Sequence, residues 1–517
     1  MGKKVFHLLL KIVINTRFGL ILGIFIFISR FSIFSQANFE FFFTSRNHDE
    51  VCGPITCTPE GEIFFILWKA EKPDLTFTNW SSFLYKITDY GDTLCWNFQK
   101  PDTILYFLAL LYDKTGNLVI GGDAWSLDTA GNKNSKFQWF CKLTTDFEII
   151  WEKEYRIQTT GLFNQNQSIL VDLPNNQYLY ANSIIPDTSY TNYTYLFKLD
   201  SNGDSILFFH NNDELKHSSL TSITLSSDSS SIGLHLFGGY SPPDYSNCKY
   251  FEYDTLFQLI QNQWYTNPDY GEPYSTMNYS ESGFISCGTY WPYERGSYPE
   301  RFIRVMKMNE DLTLSDYIDL TYPDPEKPTY AAWKQSIDFI NPERIFVGGM
   351  EDKGSTLWNT NPSWIYLACL NNDLDLIYEE YIGGDALYAT FYIKATYDGG
   401  VILTGSIYND SIQDYERDGF LMKFDSNFFV STPELGSRNC CNSINLFPNP
   451  GHELLTVSTS NLALEFELYN SIGNKLITIP MPDHVFTIET TSLPSGIYFW
   501  VVKFSNSIFS SGKWIKI

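Results

Sequence analysis

A short strand-like segment that ends in small residues recurs along most of this chain and restricts its fold more than any other feature. Its copies lie about fifty to sixty residues apart, and most follow a polar turn such as Asp398-Gly399-Gly400. The seven copies are residues 62–67, 118–122, 178–182, 234–239, 284–288, 345–349 and 401–405. A unit this short cannot bury its apolar face alone, so neighbouring copies must pack against each other.

A second strand-like segment with a polar turn follows the first in most copies. Its clearest instances are residues 83–91, 140–144, 195–203 and 420–427, where apolar and polar residues alternate as in a hairpin. Four short strands per repeat predict a β-propeller, whose radial repetition hides most strand edges. The small residues that end the first segment suit a crowded centre, where backbones converge.

The copies are not equally regular. Residues 398–427 are similar to bacterial propeller repeats that combine Asp-Gly-Gly, a strand ending in Gly and a basic-acidic turn. In contrast, residues 257–264 lack that turn, and residues 267–274 have the composition of an insertion. Seven blades are therefore predicted for an all-β propeller, with six or eight blades also compatible.

Four ordered blocks occupy the C-terminal end of the chain. The first contains two prolines, which have no backbone N–H and so suit the entry to an edge strand. The second is a turn with Gly before a basic residue, the third is Leu-Pro-x-Gly-x-Tyr, and the fourth is a strand with two lysines. Turns between alternating segments predict a small immunoglobulin-like β-sandwich. The residues that carry these blocks are Pro448, Asn449, Pro450, Gly473, Leu493, Gly496, Tyr498, Lys513 and Lys516.

These blocks resemble the type A C-terminal sorting domain of the bacterial type IX (Por) secretion system. The resemblance implies that the type IX machinery recognises the domain and carries the protein across the outer membrane. It also implies removal of the domain and attachment of the mature protein to surface lipopolysaccharide.

The N-terminal segment has the pattern of an export signal. Basic residues from Lys3 to Arg17 precede an apolar run at residues 18–29, and Ser35-Gln36-Ala37 supplies small residues for a peptidase. We expect residues 1–37 to be a cleaved signal peptide. An uncleaved anchor is the alternative, because Arg30 is followed by a further apolar patch. The predicted domains are thus a signal peptide at 1–37, a propeller at 38–430, a linker at 431–443 and a sorting domain at 444–517.

The chain is strongly acidic, with a formal net charge of -24. Such a charge repels phosphate backbones, so we expect no nucleic-acid partner. Acidic loops can hold Ca²⁺ through carboxylate oxygens, but no motif here supports a calcium site, and no cofactor is assigned.

Nine cysteines leave at least one thiol without an intramolecular partner. Cys52 and Cys57 flank Gly53-Pro54 and are the candidates for a local disulfide. Cys141, Cys287 and Cys369 lie among apolar residues, which favours buried thiols for these three.

The sequence contains no recognised catalytic or metal-binding motif. Its histidines are scattered, so neither catalytic nor metal-binding residues are assigned. A non-catalytic binding or adhesion protein at the cell surface, or secreted, is the favoured interpretation, with a glycan or a protein as ligand. An extracellular glycan-active hydrolase or lyase is the main alternative, and a passive surface coat is the third. Aromatic residues are abundant and suit both sugar stacking and strand packing.

Overall fold

The computed structural model describes most of the chain between residues 39 and 516. The described ranges are 39–45, 48–71, 80–88, 93–127, 129, 133–156, 168–184, 193–211, 218–238, 247–266, 270–280, 283–291, 301–321, 328–351, 362–408, 417–426, 428–429, 444–447, 454–459, 465–470, 474–480, 485–494, 496–503 and 509–516. They form two compact units, Met1–Val430 and Ser431–Ile517. The predicted signal peptide and linker lie outside the described residues.

The first unit contains seven antiparallel sheets, and six of them are built from strands that are consecutive in the chain. The first strand, β1 (Phe39–Phe43), belongs to the seventh sheet. Blade 1 contains β2 (His48–Cys57), β3 (Ile63–Glu71), β4 (Trp80–Ile87) and β5 (Thr93–Trp96). Blade 2 contains β6 (Thr103–Tyr112), β7 (Leu118–Leu127), β8 (Lys133–Leu143) and β9 (Ile149–Arg156). Blade 3 contains β10 (Ser168–Leu173), β11 (Gln177–Ile184), β12 (Tyr193–Leu199) and β13 (Ser205–Asn211), with a 3₁₀ turn at Pro174–Asn176.

The remaining four blades follow the same order. Blade 4 contains β14 (Ser218–Leu225), β15 (Ser231–Gly238), β16 (Asn247–Asp254) and β17 (Leu259–Thr266). Blade 5 contains β18 (Tyr270–Ser280), β19 (Gly283–Trp291), β20 (Phe302–Asn309) and β21 (Leu314–Asp319). Blade 6 contains β22 (Thr329–Ala331), β23 (Ile337–Asp338), β24 (Ile345–Glu351), β25 (Trp364–Leu370) and β26 (Leu376–Gly383). Blade 7 contains β27 (Leu387–Ala395), β28 (Val401–Tyr408) and β29 (Arg417–Phe424), with β1 as its outermost strand.

This arrangement confirms the predicted seven-bladed propeller. The recurrent segment is the second strand of every blade, and the segment that follows it is the third strand. The ring closes through β1, which pairs antiparallel with β29 from Phe39 opposite Lys423 to Phe43 opposite Gly419. Chain segments from both ends of the propeller therefore form one blade.

Two segments that depart from the repeat in sequence nevertheless contribute to regular blades. Residues 257–264 form the last turn and outer strand of blade 4, and Phe257 has a positive φ of 59°, where the same turn of blade 3 has Gly203 with a φ of 79°. The Phe257 side chain is buried against the preceding blade, which explains an apolar residue in that position. Residues 270–274 begin the innermost strand of blade 5, so the prediction of an insertion is wrong for this part of residues 267–274, and residues 267–269 lie outside the described residues.

Aromatic and aliphatic side chains fill the spaces between blades. Between blades 1 and 2, for example, Phe64 and Leu84 pack in one cluster with Phe107 and Trp139. The rings of Phe107 and Trp139 stack with centroids 5.2 Å apart. Much of the high aromatic content is therefore used for packing.

The expected local disulfide is not formed, because Cys52 and Cys57 are both buried free thiols in strand β2. Strand residues rise by about 3.3 Å each, so positions five apart lie well beyond the reach of a disulfide. Burial raises the pKa of the Cys57 thiol to about 11, which keeps it protonated near neutral pH.

The second unit is a small sandwich of two antiparallel sheets. One sheet contains β30 (Ile444–Phe447), β31 (Leu454–Thr459) and β34 (Val485–Glu489). The other contains β32 (Glu465–Asn470), β33 (Lys475–Pro480), β35 (Gly496–Lys503) and β36 (Phe509–Lys516), in the order β33-β32-β35-β36. Leu455 from the first sheet and Phe466, Trp500 and Trp514 from the second share one core. Among the described residues of the whole chain, no helix has the length and hydropathy needed to cross a membrane.

Candidate functional site

The two ends of the propeller differ in how their polar groups are used. The first and third strands of each blade end on the same side of the propeller. We call this side the turn end, and the opposite side the loop end. At the turn end, carboxylates cap tight hairpins: Asp200 Oδ1 accepts hydrogen bonds from the backbone N–H groups of Asn202 and Asp204, both at 2.8 Å. These carboxylates stabilise turns, so the loop end is the better place to look for a ligand site.

The innermost strands, which surround the propeller axis, are irregular where they cross the middle of each blade. Five of the described innermost strands shift register there. The shifts lie between Cys52 and Ile55, Phe107 and Ala109, Leu220 and Ser222, Pro273 and Ser275, and Thr390 and Tyr392. A bulge of this kind redirects a side chain out of the regular sheet, here at the axis.

Blade 6 departs furthest from the regular pattern, because its innermost strand is interrupted between Ala331 and Ile337. The intervening backbone bonds to the next blade: the N–H groups of Lys334 and Gln335 donate to the Phe391 carbonyl at 2.9 and 3.0 Å. The rings of Trp333 and Phe391 meet edge to face at 5.5 Å. This segment therefore packs Trp333 against Phe391 of the next innermost strand and fixes the backbone of Lys334 beside it.

More polar groups join this segment from blade 5. The Arg301 guanidinium lies over the Tyr330 ring, 4.9 Å from its centroid, and Tyr330 packs in one cluster with Trp333 and Phe391. The Tyr274 hydroxyl donates to Glu272 Oε2 at 2.6 Å. We call this group the axial site; it consists of Glu272, Tyr274, Arg301, Tyr330, Trp333, Lys334 and Phe391.

Burial and charge set the electrostatics of the axial site. Burial lowers the pKa of Lys334 to about 8. Burial, followed by the neighbouring Glu272 carboxylate, raises the pKa of Tyr274 far above its usual value. Both side chains nevertheless remain partly exposed, as do Trp333 and Phe391. Side chains that are mostly buried but still contact solvent are expected in a channel. The axial site can therefore receive a ligand between its aromatic rings and its two cations.

The sequence did not reveal the axial site, since the innermost strands carry no motif that repeats from blade to blade. The recurrent pattern is on the second strands, and Trp333 and Lys334 lie just before one of them. The polar-aromatic composition of residues 329–335 was the available signal. Clusters of His, Cys, Asp and Glu that could hold a metal are absent from the described part of the chain.

Within the second unit, the described motif residues stabilise one turn. The Tyr498 hydroxyl donates to the Pro494 carbonyl at 2.5 Å, and the Lys516 ammonium donates to the Thr490 carbonyl. Both side chains are buried, and Leu493 packs against the same core. These hydrogen bonds and the shared core thus connect the Leu-Pro-x-Gly-x-Tyr block with the last strand.

For the other motif residues, the structure describes only the backbone or nothing. Gly496 begins β35, where an added Cβ would meet no atom within 4 Å. Lys513 lies in β36, where its backbone pairs with Phe499. Pro448, Asn449, Pro450 and Gly473 lie outside the described residues.

Several solved structures match much of this chain at low sequence identity and with low TM-scores. Polysaccharide lyase Uly1 matches with a TM-score of 0.42 and 10% identity over 75% of this chain and 99% of that chain. A catalytically inactive virginiamycin B lyase from Staphylococcus aureus matches with a TM-score of 0.38 and 10% identity over 74% and 99%. The NanB sialidase from Streptococcus pneumoniae matches with a TM-score of 0.37 and 11% identity over 75% and 69%. Similarities at this level carry no argument about the fold or the activity of this chain.

No curated protein has significant sequence similarity to the chain. A family model does match the second unit: residues 445–516 match the secretion system C-terminal sorting domain of the Por type. The matched range contains both sheets of the sandwich and its shared core. The chain therefore carries, at residues 445–516, the C-terminal sorting domain of the type IX (Por) secretion system, which marks it as an exported protein.

Proposed function

We propose that the protein is an exported binding protein whose propeller holds an acidic carbohydrate at the axial site. The observation that carries this proposal is the interruption of blade 6, which leaves Trp333 and Lys334 partly exposed at the axis beside Phe391. Indole and phenyl faces suit the apolar faces of sugar rings. The cations Lys334 and Arg301 suit a carboxylate or sulfate on the same ligand.

The charge of the whole chain supports an acidic ligand at this place in particular. With a net charge of -24, most of the molecule repels anions, so two basic side chains beside aromatic rings form a locally favourable site. Glu272 Oε2 accepts a hydrogen bond from the Tyr274 hydroxyl, and this bond partly offsets the negative charge that the carboxylate brings to the site. The site combines few polar groups with aromatic walls, as is usual for small-ligand sites.

A glycan array with the full mature chain tests this function. We expect retention of acidic glycans and binding at least about tenfold weaker in Trp333→Ala, because loss of an aromatic anchor commonly costs more than about 1.4 kcal/mol. Tyr397→Ala is the matched control, since Tyr397 is 55% exposed in a hairpin at the turn end. Equal binding by Trp333→Ala and the wild type, or no retained glycan at all, contradicts the proposal.

A glycan-active enzyme is the second candidate, favoured by the pKa of about 8 at Lys334. An amine with this pKa is partly neutral near pH 8 and can accept a proton from a bound substrate. Product analysis on each retained glycan distinguishes the two functions. Turnover that is lost in Lys334→Met while binding persists supports the enzyme, and binding without products supports the binding protein.

We further propose that a signal peptide at residues 1–37 starts export, and that the mature protein remains on the cell surface, attached to lipopolysaccharide, or is released. The sorting domain at 445–516 supports this route. Fractionation of cells with an intact or a truncated lipopolysaccharide tests the attachment. Surface protein that shifts to the medium in the truncated strain supports it, and an unchanged distribution contradicts it.

A further inference from the structure

The sorting domain must present a surface to the export machinery, and its motif residues with described side chains do not form that surface. Tyr498 is 3% exposed and Lys516 is 8% exposed, and both donate hydrogen bonds inside the domain. Side chains with so little exposed surface maintain the fold and offer almost nothing to a partner. Recognition must therefore use other residues.

The outward side of the four-stranded sheet carries a cluster of charged and aromatic side chains, here called the lysine face. Its members are Glu465, Glu467, Tyr469, Lys475, Phe499 and Lys503. Glu467 lies at the centre with only 2% of its side chain exposed, although it faces away from the core. Lys475 and Lys503 cover it and are themselves 47% and 43% exposed.

The hydrogen bonds of the lysine face hold its two cations in place. Glu467 Oε1 pairs with Lys475 Nζ and with Lys503 Nζ, the latter at 2.9 Å, while the Tyr469 hydroxyl donates to Oε2 at 2.8 Å. Glu465 Oε2 lies 3.5 Å from Lys503 Nζ. These hydrogen bonds, led by that of Lys475, lower the pKa of Glu467 to about 2, so the carboxylate stays ionised. Two lysines sharing one buried carboxylate are thereby pre-ordered at the surface.

An exposed aromatic ring lies next to the lysines. Phe499 pairs with Tyr469 across β35 and β32, which puts both side chains on the same side of the sheet. Phe499 is 47% exposed. Aromatic side chains are enriched at interfaces, and here an exposed phenylalanine lies beside two ordered cations.

The other sheet provides an internal comparison. Its outward residues include Leu454 and Val485, which are 53% and 54% exposed, and the hydroxyls of Thr456 and Thr487, which lie 3.1 Å apart. Its strands β30, β31 and β34 contain no lysine or arginine. This side is equally exposed, but its described strands carry one carboxylate, Glu489, and no cation, so it lacks the paired cations of the lysine face.

We propose that the lysine face is the surface through which the export machinery binds the sorting domain, and that the machinery contacts it with carboxylates and apolar side chains. The carboxylates pair with the outer sides of Lys475 and Lys503, and an apolar pocket covers Phe499. Complementary charge sets the orientation of such a contact, while a covered aromatic ring supplies much of its affinity. The internal bonds of Glu467 remain unchanged on binding, so little side-chain entropy is lost.

Secretion of the full chain by a type IX-competent host tests this surface. We expect Phe499→Ser and Lys475→Glu each to reduce the exported fraction at least about tenfold, with the protein accumulating in the periplasm, since anchor residues of an interface cost this much when lost. Lys475→Arg keeps the cation and should recover most of the export that Lys475→Glu loses. Val485→Ser, which removes a side chain of similar exposure from the other sheet, should also be exported like the wild type.

Folding of each variant is checked by the protease resistance of the periplasmic protein, with the wild type arrested in a machinery-deficient strain as reference. Normal export of both Phe499→Ser and Lys475→Glu overturns the proposal. Equal loss of export in Val485→Ser and Phe499→Ser also overturns it, because the effect then does not depend on the lysine face. If Phe499→Ser fails to fold, Lys475→Glu and its Lys475→Arg control decide the question.

Discussion

At the scale of single residues, burial determines the chemistry of several groups whose sequence context looks ordinary. His235 is fully buried in the second strand of blade 4, with its Nε2 3.0 Å from Thr224 Oγ1 and its ring against those of Tyr250 and Phe284. Burial lowers the pKa of His235 to about 3. The residue is therefore neutral in the folded propeller over the physiological range and acts as a packed core side chain.

This burial predicts a loss of stability in mild acid. The unfolded chain binds a proton at His235 below about pH 6.5, whereas the folded chain stays neutral until about pH 3, so the free energy of unfolding falls as pH decreases through this window. Between pH 6.5 and pH 5 the loss should be about 2 kcal/mol. Denaturant unfolding at several pH values should show a smaller acid loss in His235→Gln than in the wild type.

His48→Gln is the control for that measurement, because His48 is partly exposed at the start of β2. It should keep the full acid sensitivity of the wild type. An acid loss in His235→Gln as large as in the wild type contradicts the assignment of a buried neutral imidazole.

At the scale of strands, the small residues of the recurrent segment make room for the neighbouring innermost strand. A Cβ at Gly122, Gly288 or Gly405 would lie well within van der Waals distance of a carbonyl oxygen of that strand. The sequence correctly indicated crowding at these positions, but the predicted location at the propeller centre is wrong, because the second strands are crowded by the innermost strand of their own blade. It could not show the cause, because the innermost strands and their bulges leave no repeating pattern in the sequence.

The crowding at Gly405 predicts a severe effect of one methyl group. In Gly405→Ala the new Cβ would overlap the Ala389 carbonyl and the Phe420 ring, and a backbone oxygen cannot move aside without breaking the sheet pairing. We expect destabilisation of about 3 kcal/mol or more, at the upper end of overpacking effects. Thermal or denaturant unfolding measures it.

Gly348→Ala is the matched control in the second strand of blade 6. Its nearest atoms would be side-chain carbons of Ile393 at 3.3 Å, which can shift slightly. The control should lose much less stability. Equal stability of Gly405→Ala and the wild type contradicts the close-approach explanation.

At the scale of the whole molecule, the propeller is closed by its own ends and is a compact unit apart from the sorting domain. The sequence predicted seven blades and a C-terminal sandwich because second strands, third strands and sorting blocks carry local patterns. The closure by Phe39–Phe43 was not predicted, since pairing with Arg417–Phe424 spans nearly the whole propeller and has no local signature. The axial site was missed for the same reason, as it joins blades 5, 6 and 7.

The most direct test of the account is export of a chain that ends at Thr432, compared with the full chain in the same type IX-competent host. The account predicts that the truncated chain is retained in the periplasm as a protease-resistant propeller, because its blades and closure are complete, while the full chain is exported. Export of the truncated chain to the cell surface or medium would contradict the central claim that residues 445–516 direct secretion.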